Sequence, residues 1–415
     1  MKKIALGLTT VALSLSAAIS HAGDVEVLHY WTSGGEAASV EVLKQEMVSA
    51  GHNWRDFAVA GGGGESAMTV LKSRAIAGNP PTAAQIKGPT IQEWGDLGFL
   101  SNLDSVAKAG NWDSLLPDVV SNAMKYEGHY VAAPVNVHRV NWMWANPEVF
   151  KKAGASIPTT WEQFIVEAKK IKAAGFTPLA HGGQAWQDAT LFESIAMAQG
   201  SKFYNDAFVE LSEQTLRSDE MISVFDTFKQ LRDLVDPGFS GRDWNIATSM
   251  VINGDAAIQI MGDWAKGEFT AAGKQPGIDY VCYPAPGTSG SFSFNIDFLA
   301  MFNVKEAGQQ AAQQDLARLI LEPKFQETFN LNKGSIPARL NMPRDQFDSC
   351  AHSSMDAFLA SSSTGDLVPS MAHGMAANSM VQGAIYDVVT NFFNSPSMTS
   401  QEAVDKLARA IKASM

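Results

Sequence analysis

Short apolar runs alternate with amphipathic helical stretches along the whole chain, the pattern of an α/β protein. The first run, Val25-Glu26-Val27-Leu28, reads as a strand, and Val40, Leu43 and Met47 then recur at helical spacing. Residues 56–60 read as a second strand, followed by glycines at 61–64 and a helix carrying Met68, Val70, Leu71 and Ile76. Asn79-Pro80-Pro81-Thr82 is a turn that leads into a strand-like Ala83-Ala84-Gln85-Ile86 and a helix through Trp94. Pro158-Thr159-Thr160-Trp161-Glu162-Gln163-Phe164 spells a helix start: a Thr cap, an early acid, then apolar residues at helical period. Extended segments at 130–135 and 277–286, and the break Gly334-Ser335-Ile336-Pro337 after a helix ending near Asn332, are places to cross between two lobes. The expected division is 1–22 as a leader, 23–134 plus 291–338 as one lobe, and 135–290 plus 339–415 as the other.

Residues 1–22 read as a cleavable export signal. Lys2 and Lys3 precede an apolar stretch, and Ser20-His21-Ala22 supplies small residues where a signal peptidase cuts. Thr9, Thr10, Ser14 and Ser16 break the stretch, which argues against a permanent anchor, and no later run approaches the length of a membrane span. A soluble, monomeric periplasmic protein without stable membrane insertion is therefore expected. Losing the two lysines takes the formal charge from −12 to −14, and no basic run offsets it, which excludes nucleic acid as a partner. In an oxidising compartment Cys282 and Cys350 fit one disulfide, with two separate buried thiols as the alternative.

The candidate chemistry sits at strand ends. His29-Tyr30-Trp31-Thr32-Ser33-Gly34-Gly35-Glu36 lies where the first strand stops and a helix begins, the position at which α/β lobes bind ligands. Trp264 ends a second such run, Ala256-Ala257-Ile258-Gln259-Ile260-Met261-Gly262-Asp263-Trp264. Flat aromatic faces suit the C–H faces of a sugar, and carboxylates suit its hydroxyls. The segment Gly61-Gly62-Gly63-Gly64-Glu65-Ser66 lacks the Lys of a phosphate loop and reads as a tight strand-to-helix turn beside the cleft. The histidines form no metal-ligand pair, no nucleophile elbow exists, and no cofactor is implied.

The run Asn253-Gly254-Asp255-Ala256-Ala257-Ile258 with Gly262-Asp263-Trp264, the segment Asn146-Pro147-Glu148-Val149-Phe150-Lys151-Lys152-Ala153-Gly154, and the helix start at Pro158 together resemble the solute-binding proteins of bacterial ABC sugar importers. Within that group, residues 57–66, Gln85-Ile86-Lys87-Gly88-Pro89, residues 134–142 and His181-Gly182-Gly183-Gln184 look most like the periplasmic glucose/mannose-binding proteins. The resemblance implies a two-lobe periplasmic binding protein fold (type II), each lobe a sheet flanked by helices, with a monosaccharide in the interlobe cleft. It also implies delivery to the transmembrane subunits of an ABC permease, with no bond made or broken. Matched motif by motif, Tyr30 and Trp31 occupy the usual Trp-Trp pair, Glu36 the following acid, and Gln85 and Lys87 a second contact segment. Trp264 matches the stacking Trp, Asp297 the acid that takes sugar hydroxyls, and Lys333, His373 and Trp244 complete the set. Tyr30 departs from the pattern and brings a smaller face with a hydroxyl. D-glucose is the expected ligand, with mannose, another hexose or a short oligosaccharide as alternatives. A secreted glycoside hydrolase is the rival class, and it needs two carboxylates at defined separation.

Overall fold

The computed structural model describes residues 23–415; the expected signal at 1–22 lies outside the described residues. Five strands form the first sheet, in the order Asn53–Ala58, Asp24–His29, Ala83–Ile86, Phe298–Met301, Ala132–Pro134. The first three are parallel and the last two join antiparallel. Burial follows position: Ala83–Ile86 is buried at every residue in mid-sheet, whereas the edge strand Asn53–Ala58 is largely exposed and carries Asn, Arg and Asp. The second sheet runs Val281–Pro284, Trp142–Ala145, Ala256–Ile260, Thr177–Leu179. Helices flank both sheets, and each sheet lies in a core of its own.

Local rules hold where the sequence states them. The Thr160 hydroxyl accepts the Gln163 N–H, and the helix Trp161–Ala173 buries Trp161, Phe164, Ala168 and Ile171 along one stripe. Each large apolar side chain in that stripe contributes about 1.5–3 kcal/mol by leaving water. Expected strand 56–60 is displaced to Asn53–Ala58, because residues 61–64 belong wholly to the turn.

A third, three-stranded sheet lies between the two cores: Leu367–Pro369, Phe292–Asn295 and His138–Arg139. Its strands are the connections themselves, since the first core ends at Val137 and the next begins at Val140, and Ala285 gives way to Phe292 across the second connection. Helix Ser349–Thr364 places Ala351, Met355 and Phe358 in the first core. Cys350, in that same helix, is bonded to Cys282 on the edge strand of the second sheet.

The disulfide closes a loop of 68 residues. Loop closure of that length stabilises by about 4 kcal/mol in the chain-entropy account. Replacing Cys282 and Cys350 together by serine lowers the unfolding midpoint measured by calorimetry, with that figure as the ceiling.

Candidate functional site

The carboxyl ends of the strands in both lobes face one small cavity. All ten residues singled out in the sequence line it: Tyr30, Trp31, Glu36, Gln85, Lys87, Trp244, Trp264, Asp297, Lys333 and His373. The structure adds Gly62, His138, Trp186 and Asn295. Nearly all of these side chains are buried, so the lobes are closed over the space.

The walls are aromatic. Trp31, directly after the first strand, is backed by Phe329 edge-on at 5.7 Å and by His29. Trp264 follows the strand Ala256–Ile260 and meets the rings of His373 at 4.8 Å and His138 at 5.2 Å, both edge-on. Its indole folds back over its own turn, where a side chain on Gly262 would lie 2.2 Å from the ring. Trp186 and Trp244 start helices Ala185–Met197 and Trp244–Asn253 and complete the second-lobe wall.

The glycine turn brings the two lobes together. A Cβ on Gly62 would stand 2.9 Å from Trp244, one on Gly63 would stand 2.8 Å from Trp186, and one on Gly64 would stand 2.8 Å from Tyr30. Real Cβ atoms do not approach that closely, so the second-lobe tryptophans seat on bare backbone. At the rim, the Glu93 carboxylate accepts both the N–H and the hydroxyl of Ser379 across the cleft, each at 3.2 Å.

The polar groups are mostly committed to one another. Glu36 occupies the N3 position of helix Gly34–Ser49. Its Oε2 accepts the Thr32 and Ser33 N–H groups, and its Oε1 takes Lys333 Nζ at 2.7 Å. Gln85 accepts the Tyr30 N–H and donates to Asp297 Oδ1, so its amide braces two neighbours rather than pointing free into the space. Asp297 also takes Asn136 and His138 at Oδ2, with Lys87 Nζ 3.5 Å from Oδ1. On its other side, His138 Nδ1 meets the Asp263 carboxylate, which also accepts the Arg139 N–H.

These contacts set the charges. Burial opposes ionisation of Asp297, but Lys87, His138 and Lys333 outweigh it and hold the carboxyl well below its ordinary range. Burial likewise opposes the charge on His138, yet Asp263 and Asp297 raise its pKa. His373 moves the other way: burial and the nearby positive charges of Lys87 and His138 keep it neutral. Burial, with Asp297 and Glu36, holds the Tyr30 phenol protonated. In the cavity wall, the buried Oδ1 of Asn295 has no hydrogen-bond partner among the described residues.

Sequence reasoning missed His138, Trp186 and Asn295. Asn295 stands two residues before Asp297, and Trp186 stands at a helix start behind the Gly-Gly-Gln segment, so position was a usable signal for both. Nothing local marks His138.

The model of the bacterial extracellular solute-binding protein family matches residues 56–319, and the chain belongs to that family. Its members are the binding components of ABC transporters, not enzymes. A probable sugar-binding periplasmic protein of Rhizobium meliloti is 49% identical over 414 residues, covering 100% of both chains. One of the same description from Brucella melitensis is 49% identical over 390 residues, covering 94% of this chain and 92% of its own. A solved chitin oligosaccharide binding protein superposes with a TM-score of 0.79 at 16% identity, covering 94% of this chain and 98% of that one; it shares the two-lobe fold.

His138 gives a test by pH. A histidine whose folded pKa is raised contributes stability that is complete below its unfolded value and lost as pH rises through the folded one. The melting temperature of the protein therefore declines above roughly pH 6.5, and His138→Gln flattens that part of the profile in a thermal scan from pH 6 to 9.

Proposed function

We propose that this chain is the periplasmic sugar-binding component of an ABC importer and that it encloses a single hexose, D-glucose first and mannose second. The relatives' names point to sugar and to the periplasm. The observation that carries the reading further is the lining of the cavity. Aromatic faces and polar groups converge on one small space buried between the lobes, the arrangement of a small-molecule site.

The lining matches a pyranose. Four tryptophans and Tyr30 offer apolar faces, while His373, Asn295 and Lys87 offer polar groups. The charges come in opposed sets, Glu36 with Lys333 and Asp297 with Lys87 and His138, so a neutral ligand fits better than an ion. Hydrogen bonds to ionised groups are about twice as strong as neutral ones, which suits capture of a polyol from water.

A hydrolase would need a protonated carboxyl beside the bond to be cleaved. Asp297 is held ionised, and the carboxyl that burial raises to about 7, Glu193, does not line the cavity. Capture by hinge closure about the three-stranded sheet follows, with the closed form delivered to the permease.

A thermal-shift panel of sugars tests the ligand. A hexose at a hundred times its Kd adds about 2.7 kcal/mol to the folded state, and Asp297→Ala abolishes the shift while circular dichroism stays native. A disaccharide that shifts the protein when no aldohexose does would overturn the single-ring reading. In titration calorimetry, Trp264→Ala weakens hexose binding roughly tenfold to a hundredfold. Gly63→Ala, whose new methyl meets Trp186, weakens it about tenfold through the overpacked seam.

A further inference from the structure

We infer that Glu193, a fully buried carboxylate outside the cavity, is the positioning residue that presents His373 to the ligand as a neutral hydrogen-bond acceptor. The inference rests on the sugar-binding reading above and assigns a role behind it.

His373 stands on the loop after strand Leu367–Pro369, and three successive backbone N–H groups of that loop are held by one network. The Met371 N–H donates to the Tyr204 hydroxyl at 2.8 Å, the Ala372 N–H to Glu193 Oε2 at 2.9 Å, and the His373 N–H to Ser370 Oγ at 3.1 Å. The hydroxyls of Tyr204 and Ser370 in turn donate to Glu193, at 3.0 and 2.8 Å. Ser293, two residues before Asn295, approaches the same carboxylate at 3.4 Å. Glu193 thus anchors the N–H side of the loop, while Tyr386 and Gln382 donate to the Ala372 carbonyl on the other side. Glu193 makes no salt bridge among the described residues, and burial pushes its carboxyl up to about 7 against four neutral donors. Burying such a group is costly, and its hydrogen bonds to the loop offset the cost.

The same helix fixes the imidazole. Trp186, Thr190 and Glu193 lie four and three residues apart on one face of Ala185–Met197. The Thr190 hydroxyl donates to the Trp186 carbonyl at 2.8 Å, which leaves it to accept from His373 Nε2 at 3.1 Å. The proton of the neutral ring is then on Nε2. Nδ1 has no protein partner among the described residues and is the acceptor left for a ligand hydroxyl. One helix face supplies the aromatic wall, the tautomer and the loop anchor.

Two measurements test this. Ring-nitrogen NMR of the sugar-free protein shows His373 neutral with Nδ1 bare, and Glu193→Gln or Thr190→Val disturbs that signature. Should Glu193→Gln fail to fold, Thr190→Val and Ser370→Ala carry the same measurement. A double-mutant cycle then reads glucose affinity: Glu193→Gln weakens binding roughly tenfold in the native background and adds nothing in His373→Ala. Equal cost in both backgrounds, or an unchanged His373 signature in the variants, overturns the role. If the unaltered protein binds no hexose, the functional reading fails, while the sugar-free spectra still decide whether Glu193 positions His373.

Discussion

His138 stands in the strand that joins the two lobes, with Asp263 on one ring nitrogen and Asp297 on the other. Two buried carboxylates lose their hydration; the ring between them bonds both, and their charges favour its protonated form. Asp263 belongs to the turn that carries Trp264, and Asp297 precedes the strand Phe298–Met301 of the first sheet. The distance between the aromatic wall of one lobe and the polar floor of the other is therefore fixed at a single ring. Arg139, next along the same strand, lies over the rings of Trp142 and Phe292 and donates to the Ser291 carbonyl, which ties the crossing to both cores.

Around that ring the cleft divides its labour. Glu36, Gln85 and Asp297 hold Lys333, Tyr30 and Lys87 in place, and much of their own bonding capacity is used in doing so. Fewer groups stay open to a ligand: His373 Nδ1 and Asn295 Oδ1 as acceptors, with Lys87 the most accessible cation. A site built this way is rigid before the ligand arrives, because its charged side chains already have fixed partners. Little ordering cost is left for binding to meet.

Much of this was legible in the chain. Trp31 and Trp264 were visible as aromatics at strand ends, Thr160 as a helix cap, and Cys282 with Cys350 as a pair in an exported protein. The rest depends on partners far apart in sequence. His138 meets Asp263 and Asp297 at separations of 125 and 159 residues, and no local pattern records that convergence. Glu36 and Gln85 line the cavity as the sequence leads one to expect, but their bonds to Lys333 and to Tyr30 with Asp297 are not visible in it, because residue type shows capacity and not how it is spent. The apolar residues of helix Ser349–Thr364 likewise show that it packs, but not on which core.

The glycine seam has a consequence for how this protein can change over generations. At most positions in the cleft, substitution can move volume up or down, so a lineage can explore new ligands by small exchanges. At Gly62 and Gly63, no residue is smaller, and every alternative adds atoms where two tryptophans already rest on backbone. Drift there runs in one direction only, toward lobes that cannot meet. Change that keeps the lobes meeting is left to the polar floor.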